Sequence, residues 1–285
     1  MDTEEKLAAA LASGITIRQA TVLGHRINYA VCGLGDPVLL IHGGTFGWGA
    51  WFANIKALAS HFTVYAIDLP GAGRSSSVDY QKMEPQKDFI DVVTAFIRAQ
   101  NINPSVIGHS FGGWVALQVA KNVDIRKLVL VDPVGFSAHV TLSDRFISCY
   151  PIARFLSGTI LKAERDNTAV EGLLRSAFYG KKTALLPEFL DYFYDIMRMH
   201  HNLLFVSRII KLRKELYLDG RGITLPCPTL VTWGAHDPIS PLRWSQENVR
   251  EIRNAKIEIF PNAGHVPQIE QSREFNELIV DFLQT

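Results

Sequence analysis

Five short, continuous apolar runs constrain the fold of this chain most: "PVLLIH" from Pro37, "TVYAID" from Thr63, "PSVIGH" from Pro104, "KLVLVD" from Lys127 and "PTLVTWG" from Pro228. A strand covered by helices on both faces has no solvent side, so it reads as an unbroken apolar run. Such strands belong to parallel sheets. "KIEIF" from Lys256 reads as one more strand. Between the runs lie amphipathic segments of helix length, Lys87 to Gln100, Gly112 to Asn122, Pro241 to Arg253 and Gln268 to Leu283. Residues 15 to 31 instead alternate apolar and polar side chains around "LGHR", the pattern of an antiparallel hairpin at a sheet edge. The order of these segments predicts a doubly wound α/β protein.

One connection breaks the rhythm. No strand candidate occurs between Pro133 and Pro226, although a crossover needs only one helix and structureless loops of that length are rare. The segment is therefore expected to be an inserted helical cap, with residues 1–134 and 222–285 forming the core and 135–221 the cap. Its aromatic side chains are expected mainly to pack helices together, with a few facing a pocket. A chain of 285 residues with 47% hydrophobic content can bury one large core with such an insertion.

Charge and cysteine usage narrow the setting. A formal net charge of +1, with acids and bases interspersed, sets up no field to recruit nucleic acid or an anionic membrane, so a small neutral partner is expected. Cys32, Cys149 and Cys227 are odd in number and lack metal-type spacing, which fits a reducing compartment. The opening "MDTEEKLAAALASG" is acidic where a secretory signal is basic, and reads as a short helix or a frayed end. The longest apolar runs fall short of the roughly 18 to 20 residues that span a bilayer, so no membrane span and a cytoplasmic location are expected.

The segment Gly108-His109-Ser110-Phe111-Gly112 matches G-x-S-x-G between a buried strand and a helix. A sharp strand-to-helix turn strains the central residue and crowds its neighbours, so Gly108 and Gly112 must lack a β-carbon. The serine hydroxyl is then held above the sheet edge over a helix N-terminus that favours developing negative charge. Ser110 reads as a nucleophile, where a lone match would read as a helix cap. After the first buried run, His42-Gly43-Gly44 can turn backbone N–H groups toward a ligand. Gly44 is the expected loop donor of an oxyanion hole, with Thr45 as fallback, and the Phe111 N–H is the second donor. His42 is expected to brace the loop rather than to react.

A serine hydroxyl needs a base, itself oriented by a carboxylate. "TLVTWGAHDPISP" puts Asp237 in the loop after one buried run, and "IEIFPNAGHVPQIE" puts His265 between the last strand and the last helix. Ser, Asp and His occur in that order, each after a strand. Asp132 is the alternative acid. His236 is expected to point away, His109 to pack under the turn, and His200-His201 to be surface or packing residues without a metal partner. "DLPGAGRSSS" lacks the phosphate-loop spacing and is expected to shape the site floor, with Asp68 and Arg74 bonding to backbone.

Together "HGG", "DLPGAGRS", "GHSFGG", "WGAHDP" and "NAGHVPQIE" resemble the α/β-hydrolase fold family, in its capped members, from Ile15 onward. The resemblance implies the α/β-hydrolase fold: a mostly parallel, doubly wound sheet with antiparallel N-terminal strands and an inserted helical cap. It implies a serine hydrolase with catalytic Ser110, Asp237 and His265, oxyanion donors Gly44 and Phe111, and no metal or organic cofactor. The expected substrate is a small or medium apolar carboxylic ester, with Phe46 and Trp48 as floor or wall residues. Two alternatives stay open: a carbon-carbon bond hydrolase of the meta-cleavage product type, and a receptor-like member with slow turnover. Relatives of the first alternative carry a longer glycine run and a tryptophan after the histidine, where this chain has Thr45 and Val266. They also need a cap cation, for which Arg145, Arg154 and Arg198 are candidates. The basic run "RIIKLRKELYLDGR" is expected to be a solvated helix face.

Overall fold

A computed structural model of the chain describes residues 1–11, 14–44, 46–162, 168–180, 183–199, 202–221 and 223–285. Thr45, His200, His201 and the core boundary at Gly222 lie outside the described residues.

The N-terminal segment forms helix α1 (Thr3–Leu11), with Glu4 and Glu5 in its first turn, where the helix dipole favours them. The alternating segment becomes the antiparallel hairpin β1 (Thr16–Val22) and β2 (His25–Cys32), at one edge of an eight-stranded sheet. The apolar runs become β3 (Pro37–Ile41), β4 (Thr63–Ile67), β5 (Ser105–His109), β6 (Leu128–Val131) and β7 (Thr224–Gly234), and β8 (Arg253–Phe260) closes the far edge. The strand order is β1-β2-β4-β3-β5-β6-β7-β8. β2 pairs antiparallel to β4, and every pairing from β4 through to β8 is parallel. Every residue of β5 and β6 is buried, which is why those runs carry no polar alternation. β8 is mostly exposed and owes its alternating isoleucines and charges to the edge position.

Short α2 (Ile55–Ala59) precedes β4. A π-helical turn over Gln86–Ile90 leads into α3 (Asp91–Ala99), and α4 (Phe111–Ala120) follows β5. Among the described residues, the long connection from β6 to β7 holds five helices, α5 (Leu142–Ile147), α6 (Tyr150–Leu161), α7 (Thr168–Arg175), α8 (Pro187–Met199) and α9 (Asn202–Lys211). Two helices depart from the sequence reading by more than two residues or are broken within it. α10 (Leu242–Arg250) stops before Arg253, which already belongs to β8. The C-terminal helix is two pieces, α11 (Pro267–Glu270) and α12 (Ser272–Gln284), because Gln271 leaves the helical region at φ −123° and its side chain accepts the Asn262 N–H at 3.0 Å.

Two apolar layers sandwich the sheet. On one face Phe89, Phe96 and Phe111 pack with Trp233; on the other Trp51, Phe189 and Phe275 pack with Leu40. All three cysteines are free, Cys32 and Cys227 buried. Among the described residues, no helix is long and apolar enough to cross a membrane.

Candidate active site

Parallel strands present their carboxyl ends at one rim, and in an open α/β sheet that rim is where ligands bind. Ser110 sits there between β5 and α4 at φ 53°, ψ −118°, a backbone conformation that ordinary residues avoid. The glycines around it are required by contact. A β-carbon on Gly108 would run into the carbonyl of Gly112, and one on Gly112 into the carbonyls of Ile41 and His42. Helix and sheet therefore meet at backbone-to-backbone distance, which turns the serine side chain out at the rim.

The Ser110 hydroxyl donates to His265 Nε2 at 2.9 Å, and His265 Nδ1–H donates to Asp237 Oδ2 at 2.7 Å. The other Asp237 oxygen accepts backbone N–H groups of Ile239 (2.7 Å) and Ser240 (2.8 Å), which fixes the carboxylate plane. Burial pushes the Asp237 carboxyl up, but the His265 ring and these hydrogen bonds outweigh it and hold the group below its ordinary range. Donor atoms of Asp132, Asp237 and His265 lie within 4.8 Å of one another. A separation of 2.7 Å between Nδ1 and Oδ2 is a hydrogen bond. Two ligands each about 2 Å from one metal ion would stand roughly 3 Å or more apart.

The sheet and the insertion jointly hold the histidine. The His265 N–H donates to Ala177 O at 2.8 Å, and His109 Nε2–H donates to His265 O at 2.7 Å. Glu270 accepts the N–H groups of Gly264 (2.6 Å), Tyr179 (2.8 Å) and Gly180 (2.8 Å), tying the histidine loop to the segment after α7. Burial keeps the His109 ring uncharged, its pKa lowered to about 3. His42 braces its loop as expected. Its Nδ1–H donates to Gly43 O at 2.5 Å, its Nε2 accepts the Leu69 N–H at 3.0 Å, and burial lowers its pKa to about 4.

Above Ser110 lies a cavity of about 410 Å³, walled by Gly44, Phe46 and Phe111 below and by Leu174, Phe193 and Phe205 of the insertion above. Phe205 stands edge-on to Phe111, ring centres 5.2 Å apart. It can lie against the glycine loop because Gly44 has no side chain: a β-carbon there would be 2.6 Å from the Phe205 ring. Phe46 lines the cavity, with its ring 5.5 Å from that of Phe193.

Trp48 does not line the cavity. Its indole N–H donates to Glu4 at 2.6 Å and its backbone N–H to Asp68 at 2.6 Å, so the ring turns into the core toward α1. The loop from Asp68 likewise stays out of the cavity wall and braces the glycine loop from behind. Asp68 does bond backbone, at Trp48 and Arg74, whereas the Arg74 guanidinium pairs with Glu4 (3.2 Å) and Asp2 (3.4 Å) instead. Burial and the Glu4 charge push Asp68 up to about 7. Asp132, the alternative acid, lies beside Asp237 and accepts the Gly234 N–H at 2.9 Å. His236 stacks on Tyr179, ring centres 3.8 Å apart, away from the row.

Sequence reasoning missed the charged end of the cavity. Arg145, Arg154 and Arg198 are exposed and do not line it. Arg213 does, from within the basic run read as a solvated face, and it pairs with Asp144 at 3.3 Å and donates to Ser137 O at 3.3 Å. Spacing held one clue: Leu212 and Leu216 flank it as buried residues, so part of that turn had to face inward.

The chain belongs to the alpha/beta hydrolase family, whose family model matches residues 38–278. Members of this family are hydrolases. Among curated relatives, the chain is 30% identical to a dihydrolipoyllysine-residue acetyltransferase component of an acetoin cleaving system from Cupriavidus necator, over 91% of this chain and 67% of that one. It is 27% identical to a 2-hydroxy-6-oxo-6-phenylhexa-2,4-dienoate hydrolase from Burkholderia cepacia, over 94% and 95%. Among solved structures, a thermophilic esterase from Thermogutta terrifontis superposes with a TM-score of 0.72 at 20% identity, covering 94% of this chain and 98% of that one.

Proposed function

We propose that the protein hydrolyses small or medium carboxylic esters with an apolar body, through an acyl-enzyme on Ser110. The observation that carries this reading is the hydrogen-bonded row Ser110–His265–Asp237 at the base of an apolar cavity. As Ser110 Oγ attacks the ester carbonyl, its proton passes to His265 Nε2, and Asp237 stabilises the imidazolium while fixing its tautomer. Phe111 opens α4, so its N–H has no partner within the helix and is free to meet the oxyanion, with Gly44 as the second donor. The imidazolium then protonates the departing alcohol, and water, deprotonated by the same ring, cleaves the acyl-enzyme. Residues 135–221 act as the cap, excluding solvent and limiting substrate size.

Charge inside the cavity favours a neutral substrate. Its only lysine or arginine among the described lining residues is Arg213, which Asp144 already neutralises. A second reading, carbon-carbon cleavage of a vinylogous diketone acid, is supported by the near full-length similarity to the Burkholderia hydrolase. A substrate carboxylate would then have to displace Asp144 from Arg213.

The test compares kcat/KM for p-nitrophenyl esters of graded acyl length with that for a vinylogous diketone acid. An optimum among the esters well above the diketone supports the proposal, and the reverse order overturns it. Ser110→Ala should abolish turnover of either class.

A further inference from the structure

Beside the row lies a second buried carboxyl group that the mechanism does not use. Asp132 directly follows β6 with φ 43°, a conformation only a few residue types tolerate, and is fully buried. Its Oδ1 accepts the Gly234 N–H at 2.9 Å, and its own N–H donates to Thr232 O at 3.0 Å. Its Oδ2 is buried and receives no N–H or O–H from any described group. Asp237 stands next to it, with N–H donors already on both oxygens: Ile239 and Ser240 on one, His265 on the other.

Two carboxylates this close in a dry site do not both ionise. The proton belongs on the group with fewer donors, which is Asp132, with one N–H against three on Asp237. We propose that Asp132 is a neutral carboxylic acid at neutral pH, its Oδ2–H donated to the Asp237 carboxylate, and that it thereby positions Asp237 for His265. This rests on the reading of Ser110, His265 and Asp237 as a catalytic row.

The surroundings act in the same direction. Burial, with the Asp237 charge adding to it, raises the Asp132 carboxyl well above its ordinary range. Glu270 faces the pair as a further negative charge, and His109, kept neutral by burial, supplies no positive one. His265 is a further titratable neighbour of the pair. The proton on Asp132 does not move during turnover. Its function is to keep the charge beside the imidazole at −1.

Asp132→Asn separates the two protonation states because asparagine is isosteric with the neutral acid. Its carbonyl can take the Gly234 N–H, its amide can donate to Asp237, and asparagine tolerates positive φ. The proposal expects kcat/KM within about threefold of wild type and an acid limb of the pH profile shifted by less than about 0.3 pH. If Asp132 is ionised in the wild type, the substitution removes a charge close to the base, and the acid limb falls by about one pH unit or more. That result overturns the proposal. A readout independent of catalysis is the infrared difference between wild type and Asp132→Asn at pH 7, both in a Ser110→Ala background. A protonated-carboxyl carbonyl band present only with Asp132 supports the proposal, and its absence overturns it. If Asp132→Asn does not fold, carboxyl-carbon NMR of aspartate-labelled wild type tests the same point: one aspartate should stay protonated between pH 5 and 8, and its absence overturns the proposal. Failure of the catalytic reading itself would show separately, as turnover by Ser110→Ala.

Discussion

Replacing Asp237 with asparagine tests the row at its most constrained member. The amide can be placed two ways. With its oxygen toward Ile239 and Ser240 it keeps both backbone hydrogen bonds, now 2.7 and 2.8 Å, and turns its NH2 group toward His265. Reversed, it leaves those two buried N–H groups facing another donor, at about 1–3 kcal/mol each. Two donors outweigh one, so the NH2 group faces His265 Nδ1. That nitrogen must then become the acceptor, and the ring proton moves to Nε2, the atom that should take the Ser110 proton.

The base is lost with the fold intact. The expected fall in kcat is about ten-thousandfold, or about 5 kcal/mol at 1.36 kcal/mol per factor of ten. KM should hardly change, because Asp237 does not touch the cavity wall. Steady-state hydrolysis of the best p-nitrophenyl ester measures both constants, and thermal unfolding checks that the variant is folded. A folded Asp237→Asn within tenfold of wild type would refute the reasoning, since the imidazole would then be oriented by something other than Asp237.

Gly112→Ala would put a β-carbon 2.5 Å from the Ile41 carbonyl oxygen, and as backbone cannot step aside it should destabilise by about 1–3 kcal/mol or more, seen as a lower urea midpoint. Trp48→Phe removes the indole donor to buried Glu4 and should cost about 1–3 kcal/mol, with kcat/KM on esters unchanged; a marked loss of kcat/KM would return Trp48 to the cavity wall. His42 is held neutral, its pKa lowered from 6.5 to about 4 by burial. The unfolded chain therefore takes up a proton first as pH falls, and stability present above about 6.5 is lost on the way down to 4. The stability advantage of wild type over His42→Asn should thus shrink by roughly 3 kcal/mol between pH 7 and pH 4, read from urea unfolding at each pH; a constant difference would refute it.

How far the sequence revealed the molecule depends on whether one residue's neighbours along the chain decide its setting. The runs at β3 to β7 were legible because burial on both faces writes itself into consecutive residues. Ser110 was legible for a related reason: the close approach of helix and sheet demands glycine at 108 and 112, within two residues of it. Asp237 and His265 stood out through loop position after strands, which is also local.

Trp48 and Arg213 show where such reasoning stops. Trp48 follows the glycine loop closely enough to suggest a wall of the site, but its direction is set by Glu4, forty-four residues earlier, because a buried indole N–H needs an acceptor. Arg213 sits among six other charged residues in a stretch that reads as solvated, and only its pairing with Asp144, sixty-nine residues away, makes an inward position tolerable. Asp132 falls between the two cases. Its place at the end of a buried strand marked it as an acid near the site, yet its protonation is decided by Asp237, one hundred and five residues further on, and by how many donors that neighbour already has. A lone buried carboxyl in a sequence is thus ambiguous between base, structural acceptor and proton donor until the donors around it are counted. Here the count of three against one places the charge on Asp237 and the proton on Asp132.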